Sequence, residues 1–388
     1  MMTPVGQCID RGGLRFLFCF CLLGSCLMMT NIAAETSREA ATTTLKDRFA
    51  GKFLVGTCVS TGLLREGVTD ENPTRRLIAR QFNALTPENC MKWGHLHPEP
   101  GRYDFAAADE LVAFAERHGH AVFGHTLIWH NQTPDWVFED ESGEPIGREA
   151  LIERMRAHIH TVVGRYQGRI RAWDVVNEPL ENKHDREELV RDSKWRQIIG
   201  DDYLDLAHRF AHEADPDATL IVNDYGLPND AKRARMVKVV SGMRERGVPV
   251  HAIGLQGHWG AKQPSAEKLR TMLDELGAVG LPLHVTELDM NMVENKDAEA
   301  DPYKDGLPAD VAAAQATRYA DWFTVFVENA ERLERVCFWG PHDGHSWLNT
   351  WQGKRTNHPL LFDRNLNPKP AFDAVMNVKA TEETEKDG

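Results

Sequence analysis

The sequence predicts an α/β fold, a single (β/α)8 TIM barrel, and two observations carry that prediction. Short β-branched apolar runs alternate with longer stretches of helical period along nearly the whole chain. Polar and aromatic residues then gather just after the ends of those runs, where parallel strands of a barrel would bring them to one rim. A doubly wound sheet is the competing arrangement. About 340 residues with no Pro/Gly/Ser-rich linker and no internal repeat fit one barrel with moderate loop insertions.

The strands are expected at residues 54–58, 84–87, 121–128, 172–177, 219–224, 252–255, 283–287 and 336–339. Helices are expected near 74–81, 105–118, 148–166, 195–214, 230–246, 266–276 and 309–329, with a last one after Pro370. The second of these shows the pattern: Leu111, Phe114 and Ala115 fall at i, i+3 and i+4, one face of a helix. Residues 290–308 are irregular and acidic, which predicts a long loop after the seventh strand.

Residues 1–34 read as a signal peptide. Arg11 and Arg15 supply the positive start, residues 14–29 the apolar stretch, and Ala33-Ala34 a small-residue cleavage site. The stretch is too short for a membrane span. Secretion, periplasmic or extracellular, is the expectation. Leu23-Gly24-Ser25-Cys26 also resembles a lipoprotein box, so a lipid anchor at Cys26 is the alternative. A polar leader (35–44), the barrel domain (45–380) and a polar tail (381–388) follow.

Charge narrows the partners. Lys+Arg number 45 against Asp+Glu 58, for a net charge of −13, which argues against nucleic acid. The 10 tryptophans suit sugar-ring stacking as well as a large core. Outside the signal segment the cysteines are Cys58, Cys90 and Cys337. Their odd number and wide spacing predict buried thiols, neither a disulfide framework nor a metal site.

Two segments stand out: Trp173-Asp174-Val175-Val176-Asn177-Glu178-Pro179 and His284-Val285-Thr286-Glu287-Leu288-Asp289. Each apolar run ends in a glutamate. A carboxylate at the tip of a buried strand is costly to desolvate, so it is rarely there for stability. Two of them point to the paired carboxylates of glycoside hydrolysis. Other strand ends offer Glu88, Asn89 and Lys92; His125, Trp129, His130 and Gln132; Asn223, Asp224 and Tyr225; Gln256 and His258; and Trp339. Taken singly, Lys92 with Glu88 reads as an i, i+4 surface pair. His284 lies mid-strand, at the opposite parity to Glu287, and is expected to point away from the centre. No H-E-x-x-H pair and no G-x-S-x-G elbow is present, so metal and serine hydrolysis find no motif.

Together these residues resemble the family 10 glycoside hydrolases, the endo-β-1,4-xylanases, over nearly the whole chain from about Leu45 to Phe372. The carriers are residues 86–93 (Thr-Pro-Glu-Asn-Cys-Met-Lys-Trp), 124–130 (Gly-His-Thr-Leu-Ile-Trp-His), 173–179, Asn223-Asp224-Tyr225, residues 286–289, and Trp339 with Trp347. The resemblance implies Glu178 as general acid/base and Glu287 as nucleophile. Asn177 would bind the sugar 2-hydroxyl, and His258, held by Asp289, would bond the nucleophile. Gln256 would stand beside them. Glu88, Asn89, Lys92, His125, Trp129 and Gln132 would bind the non-reducing side. Trp339 and Trp347 would cover the reacting sugars, and Tyr225 would face the leaving group. It implies a monomer acting on xylan and xylo-oligosaccharides with retention, without cofactor or metal. The alternatives are a retaining β-1,4-glucanase of the same clan and a non-catalytic carbohydrate-binding barrel. Gly226, Gly257, Leu348 and the His342/His345 loop depart from the family pattern and bear on the outer subsites.

Overall fold

The apolar runs pair in sequence order, side by side and all parallel. The computed structural model describes residues 43–183, 186–293, 301–351 and 353–379. The signal segment with Cys26, residues 35–42 of the leader, the tail, and residues 294–300 of the expected loop lie outside the described residues. The strands are β1 (Leu54–Val59), β2 (Ala84–Pro87), β3 (Ala121–Trp129), β4 (Ala172–Asn177), β5 (Thr219–Asp224), β6 (Ala252–Leu255), β7 (His258–Gly260), β8 (Leu283–Asn291) and β9 (Leu333–Phe338). Each of β1 to β5 pairs with the next, and β8 pairs with β9. β6 also pairs with β8, and β9 returns to β1, which closes an eight-stranded ring. The remaining strand, β7, pairs only with the far end of β8, His258 opposite Asp289. Three residues are too few for an alternation to register, and the sequence offered no sign of it.

The helices are α1 (Leu45–Arg48), α2 (Pro73–Gln81), α3 (Trp93–Leu96), α4 (Ala106–His118), α5 (Arg148–Arg165), α6 (Lys194–Ile199), α7 (Tyr203–Ala214), α8 (Asp230–Glu245), α9 (Ala266–Gly277), α10 (Ala309–Glu328) and α11 (Pro370–Met376). Their starts follow capping chemistry. The side chains of Asn72, Ser193, Asn229 and Ser265 accept backbone N–H groups of the first turns of α2, α6, α8 and α9. The single helix expected over 195–214 is two, because Gly200 takes φ 108° between α6 and α7. Among the described residues no helix is long and apolar enough to cross a membrane. The three cysteines are buried and free.

The core has two shells. Outward strand residues such as Val55, Val222, Val285 and Val336 pack with helix residues such as Ile78, Leu111, Met236 and Phe323. Inside the ring, Ala84, Phe123, Ala172, Ile221 and Ala252 fill the barrel. Small residues here let large ones interdigitate. On the outer, helix-facing side Gly124 makes a similar concession: a Cβ there would sit 2.1 Å from the buried Trp173 ring. Gly124→Ala is therefore expected to destabilise the fold by about 2–3 kcal/mol, as overpacking does. An unchanged denaturation midpoint would refute this reading of the contact.

Three breaks in register shape the rim. They lie between His125 and Ile128 on β3, Asp174 and Val176 on β4, and Val285 and Leu288 on β8. A bulge adds one residue and re-aims every side chain beyond it. This corrects the expectation for His284. Its ring meets Phe123, on the opposite strand of the ring, at 5.8 Å, so it points into the barrel. The parity argument assumed unbroken alternation between His284 and Glu287, and the bulge removes that assumption. The residue is nonetheless packed away from the rim, and burial holds its imidazole neutral, far below the usual histidine range.

Candidate active site

All the residues to which the family resemblance assigns a role line one cleft of about 820 Å³ at the C-terminal ends of the strands, while His130, Asn223 and Asp224 are not among its lining residues. Its two ends of interest are Glu178 and Glu287.

Glu287 lies on β8, within the break in register between Val285 and Leu288, with 4% of its surface exposed. Its Oε1 accepts from Asn223 Nδ2 at 2.8 Å and its Oε2 from His258 Nε2 at 3.1 Å. Burial alone would raise its pKa. The hydrogen bond from His258 and the electrostatic influence of His125, His258 and Lys92 outweigh burial and hold it at about 2. His258 in turn faces Asp289, with Nδ1 3.0 Å from Oδ1. Burial works against the imidazolium, but the carboxylates of Asp289 and Glu287 on either side lift its pKa to about 10. Asp289 is fixed from behind by the Trp347 indole, Nε1 to Oδ2 at 2.8 Å.

Glu178 follows the last residue of β4 and precedes Pro179. Its backbone takes φ 56°, a conformation rare outside glycine, while its N–H donates to Asn223 O at 2.7 Å. The side chain reaches the cleft with 13% exposure. Burial raises its pKa, the Asp224 carboxylate adds to this, and Glu287 adds further. His130 Nε2 stands 3.8 Å from Glu178 Oε2. Burial, with Arg191 and Lys232 nearby, keeps that imidazole neutral at about 4. The two glutamates are thus pushed in opposite directions by their surroundings, the mark of an acid and a base with separate tasks.

Neutral amides join them. Gln256 Nε2 donates to Glu178 Oε1 and to Asn177 Oδ1, each at 3.2 Å. Asn223 Nδ2 donates to Asn177 Oδ1 at 2.9 Å and to Glu287 Oε1. Thr286 Oγ1 fixes Asn223 by donating to its Oδ1 at 2.7 Å. With its Oδ1 held by two donors, Asn177 has its Nδ2 left to meet a hydroxyl in the cleft. Asn223 carries no role in the sequence reading, although it lies one residue before the end of β5 within the Asn-Asp-Tyr motif. Gly254 makes room for it: a Cβ there would come within 2.5 Å of Asn223 Oδ1.

The walls are built from β2, β3 and the loops after β5 and β9. Lys92 is buried, donates to Asn89 Oδ1 at 3.1 Å and stands 4.9 Å from the Trp129 ring centroid. It is not the exposed partner of Glu88 that spacing alone suggested. Burial raises the Glu88 pKa and lowers that of Lys92. His125 Nδ1 lies 2.9 Å from Asp174 Oδ2, and its ring meets Trp339 edge-on at 5.2 Å. Gln132 is exposed at the edge, with its Oε1 3.2 Å from His95 Nε2. Tyr225 accepts from Asn182 and from Arg191 Nη2, and its ring lies 3.5 Å from Lys232 Nζ. Arg191, unnoticed in the sequence, also donates from Nε to Glu178 O at 3.0 Å. Of the departures, Gly226 and Leu348 line the cleft, whereas His342 and His345 are not among its lining residues. Gly257 takes φ 84°, which suits glycine better than a residue with a side chain.

The glycosyl hydrolase family 10 sequence model matches residues 44–378. The chain belongs to this family. Two curated relatives agree in extent. The endo-1,4-beta-xylanase of Geobacillus stearothermophilus is 42% identical over 339 residues, covering 86% of this chain and 98% of the relative. The endo-1,4-beta-xylanase B of Paenibacillus barcinonensis is 42% identical over 334 residues, covering 86% and 97%. A solved GH10 endoxylanase retrieved from a sugarcane soil metagenome superimposes with a TM-score of 0.82 at 42% identity, over 86% of this chain and 99% of that one. Membership of family 10 makes the chain a glycoside hydrolase, with the barrel that the sequence predicted.

In this family 10 hydrolase, His258 has a checkable electrostatic task. With His258→Asn, the burial of Glu287 is no longer offset by an imidazolium. The acid limb of kcat/KM is expected to rise from about 2 by about 1–3 pH units. A limb that stays in place would show that His258 does not set the charge of Glu287.

Proposed function

We propose that the chain is an endo-β-1,4-xylanase that cleaves internal β-1,4-xylosidic bonds with retention of configuration. One observation carries the proposal. A buried glutamate held ionised at about 2 and a half-buried one whose pKa is raised face one cleft, with a bridge of amides between them. Its relatives' shared activity, as their names give it, supports the choice of xylan.

The steps follow from the charges. Glu287, ionised, attacks the anomeric carbon and forms a glycosyl ester. Glu178, protonated, gives its proton to the departing oxygen. Asn177 Nδ2 binds the neighbouring 2-hydroxyl of the reacting sugar. The Glu178 carboxylate then takes a proton from water, which displaces Glu287 from the opposite face. Two inversions give retention. Glu88, Asn89 and Lys92 bind the sugar on the non-reducing side, with His125, Trp129 and Gln132 flanking it. Tyr225 takes the leaving-group side, and Trp339 and Trp347 close over the centre. Buried Lys92 and Trp339 leave little space for a 6-hydroxymethyl group, which favours xylose over glucose.

The test is the initial product anomer of xylohexaose hydrolysis, read by NMR, with initial rates on xylan and carboxymethylcellulose. An α-anomer first product would overturn retention. A faster rate on the cellulose derivative would favour the glucanase alternative, and binding without release of reducing sugar would favour a non-catalytic barrel. The proposal extends to a secreted, monomeric enzyme with residues 1–34 removed, or to one anchored through Cys26. The mass of the mature chain's N-terminal peptide separates these two.

A further inference from the structure

Trp351 is the large apolar side chain left open to solvent among the described residues, with 54% of its surface exposed. An indole in water forgoes the stabilisation that burying it would bring. It stands at a particular place. Trp351 lines the catalytic cleft, one step outward from Trp347, with ring centroids 5.0 Å apart at 53°. Trp347 is tied to Asp289, beside the reacting centre, whereas Trp351 touches none of the charged groups there.

The turn that carries it is firmly held. Trp351 N donates to Trp347 O at 3.1 Å, and Leu348 is buried beneath the turn. Asn349 Nδ2 donates to Asp343 O at 2.8 Å, while its Oδ1 accepts from Asn357 N and Arg364 Nη2. An exposed aromatic face on a fixed turn loses little freedom when it binds a ligand.

We infer that Trp351 is the platform of an additional pyranose-binding subsite, outside the two sugars that react, for a further residue of the same xylan chain. The inference rests on the proposed function. The occupant follows from continuity: the face opens into the cleft that the polysaccharide would already fill. The flat C–H face of a pyranose suits an indole, and Leu348 beside it offers no charge to bind an ionic ligand.

The test compares Trp351→Ala and Trp351→Phe with the wild type on two substrates. Xylohexaose is long enough to reach the subsite, and 4-nitrophenyl β-xylobioside is too short. In the alanine variant the ratio of kcat/KM values, hexaose over aryl glycoside, is expected to fall about 3- to 10-fold, with most of it restored by phenylalanine. The fragments from end-labelled xylohexaose should shift as well. An unchanged ratio would overturn the subsite, as would an equal loss on both substrates, which would mean that Trp351 only supports Trp347. A change of oligomeric size on gel filtration would reassign the face to a second copy of the chain. Wild-type activity on the aryl glycoside reports on the proposed function separately.

Discussion

Glu287→Ala is expected to abolish xylan hydrolysis, with kcat falling on the order of 10⁵-fold or more, the scale of losing a covalent nucleophile. The substitution removes the attacking oxygen and empties a pocket already built for an anion. Asn223 Nδ2 and His258 Nε2 still point into it, with the imidazolium's charge behind them. Azide fits that setting. With an aryl xylobioside and Glu178 intact, added azide should restore turnover by a single displacement and give the α-xylosyl azide, inverted from the substrate. Recovery of the β-azide would mean that the nucleophile is elsewhere.

Glu178→Ala is expected to separate substrates by their leaving groups. Proton transfer from a placed acid contributes about 10²- to 10⁴-fold. Xylan, whose leaving group is a sugar alkoxide, should lose that factor in kcat/KM. A dinitrophenyl xylobioside needs no proton to depart, so its kcat/KM should change little while its kcat falls at the slower hydrolysis of the ester. Azide should then trap the ester and yield the β-xylosyl azide. The basic limb of the pH profile should also disappear, since it reports the raised Glu178. Equal losses on both substrates would remove Glu178 from the acid's role.

The fold was legible because a barrel repeats its signal. Each strand is a buried apolar run with polar residues at its tip, and the ring needs only that these recur in order. The same tips made the cleft legible, since Glu88, Tyr225, Gln256 and Trp339 follow strand ends, Asn177 closes β4, and His125 and Glu287 lie within β3 and β8. What escaped depends on contacts between strands. Asn223 acquires its task only because Asn177 and Glu287 come within reach of one amide. Arg191 reaches back to Glu178 and Tyr225 from a loop without periodicity. His284 was misdirected by a bulge that leaves no trace in an alternating pattern. Lys92 looked like a surface cation because spacing along a helix says nothing about which loops fold over it.

The amide bridge between the glutamates has a consequence for the whole reaction cycle. In the proposed mechanism one negative charge begins on Glu287, passes to Glu178 as the ester forms, and returns when water attacks. The alcohols released are neutral, and His258 with Asp289 stays a balanced pair throughout. No charge is created or lost in the buried site; one is only relocated across side chains that do not titrate. The enzyme can therefore complete a turnover without drawing a mobile counter-ion into its interior.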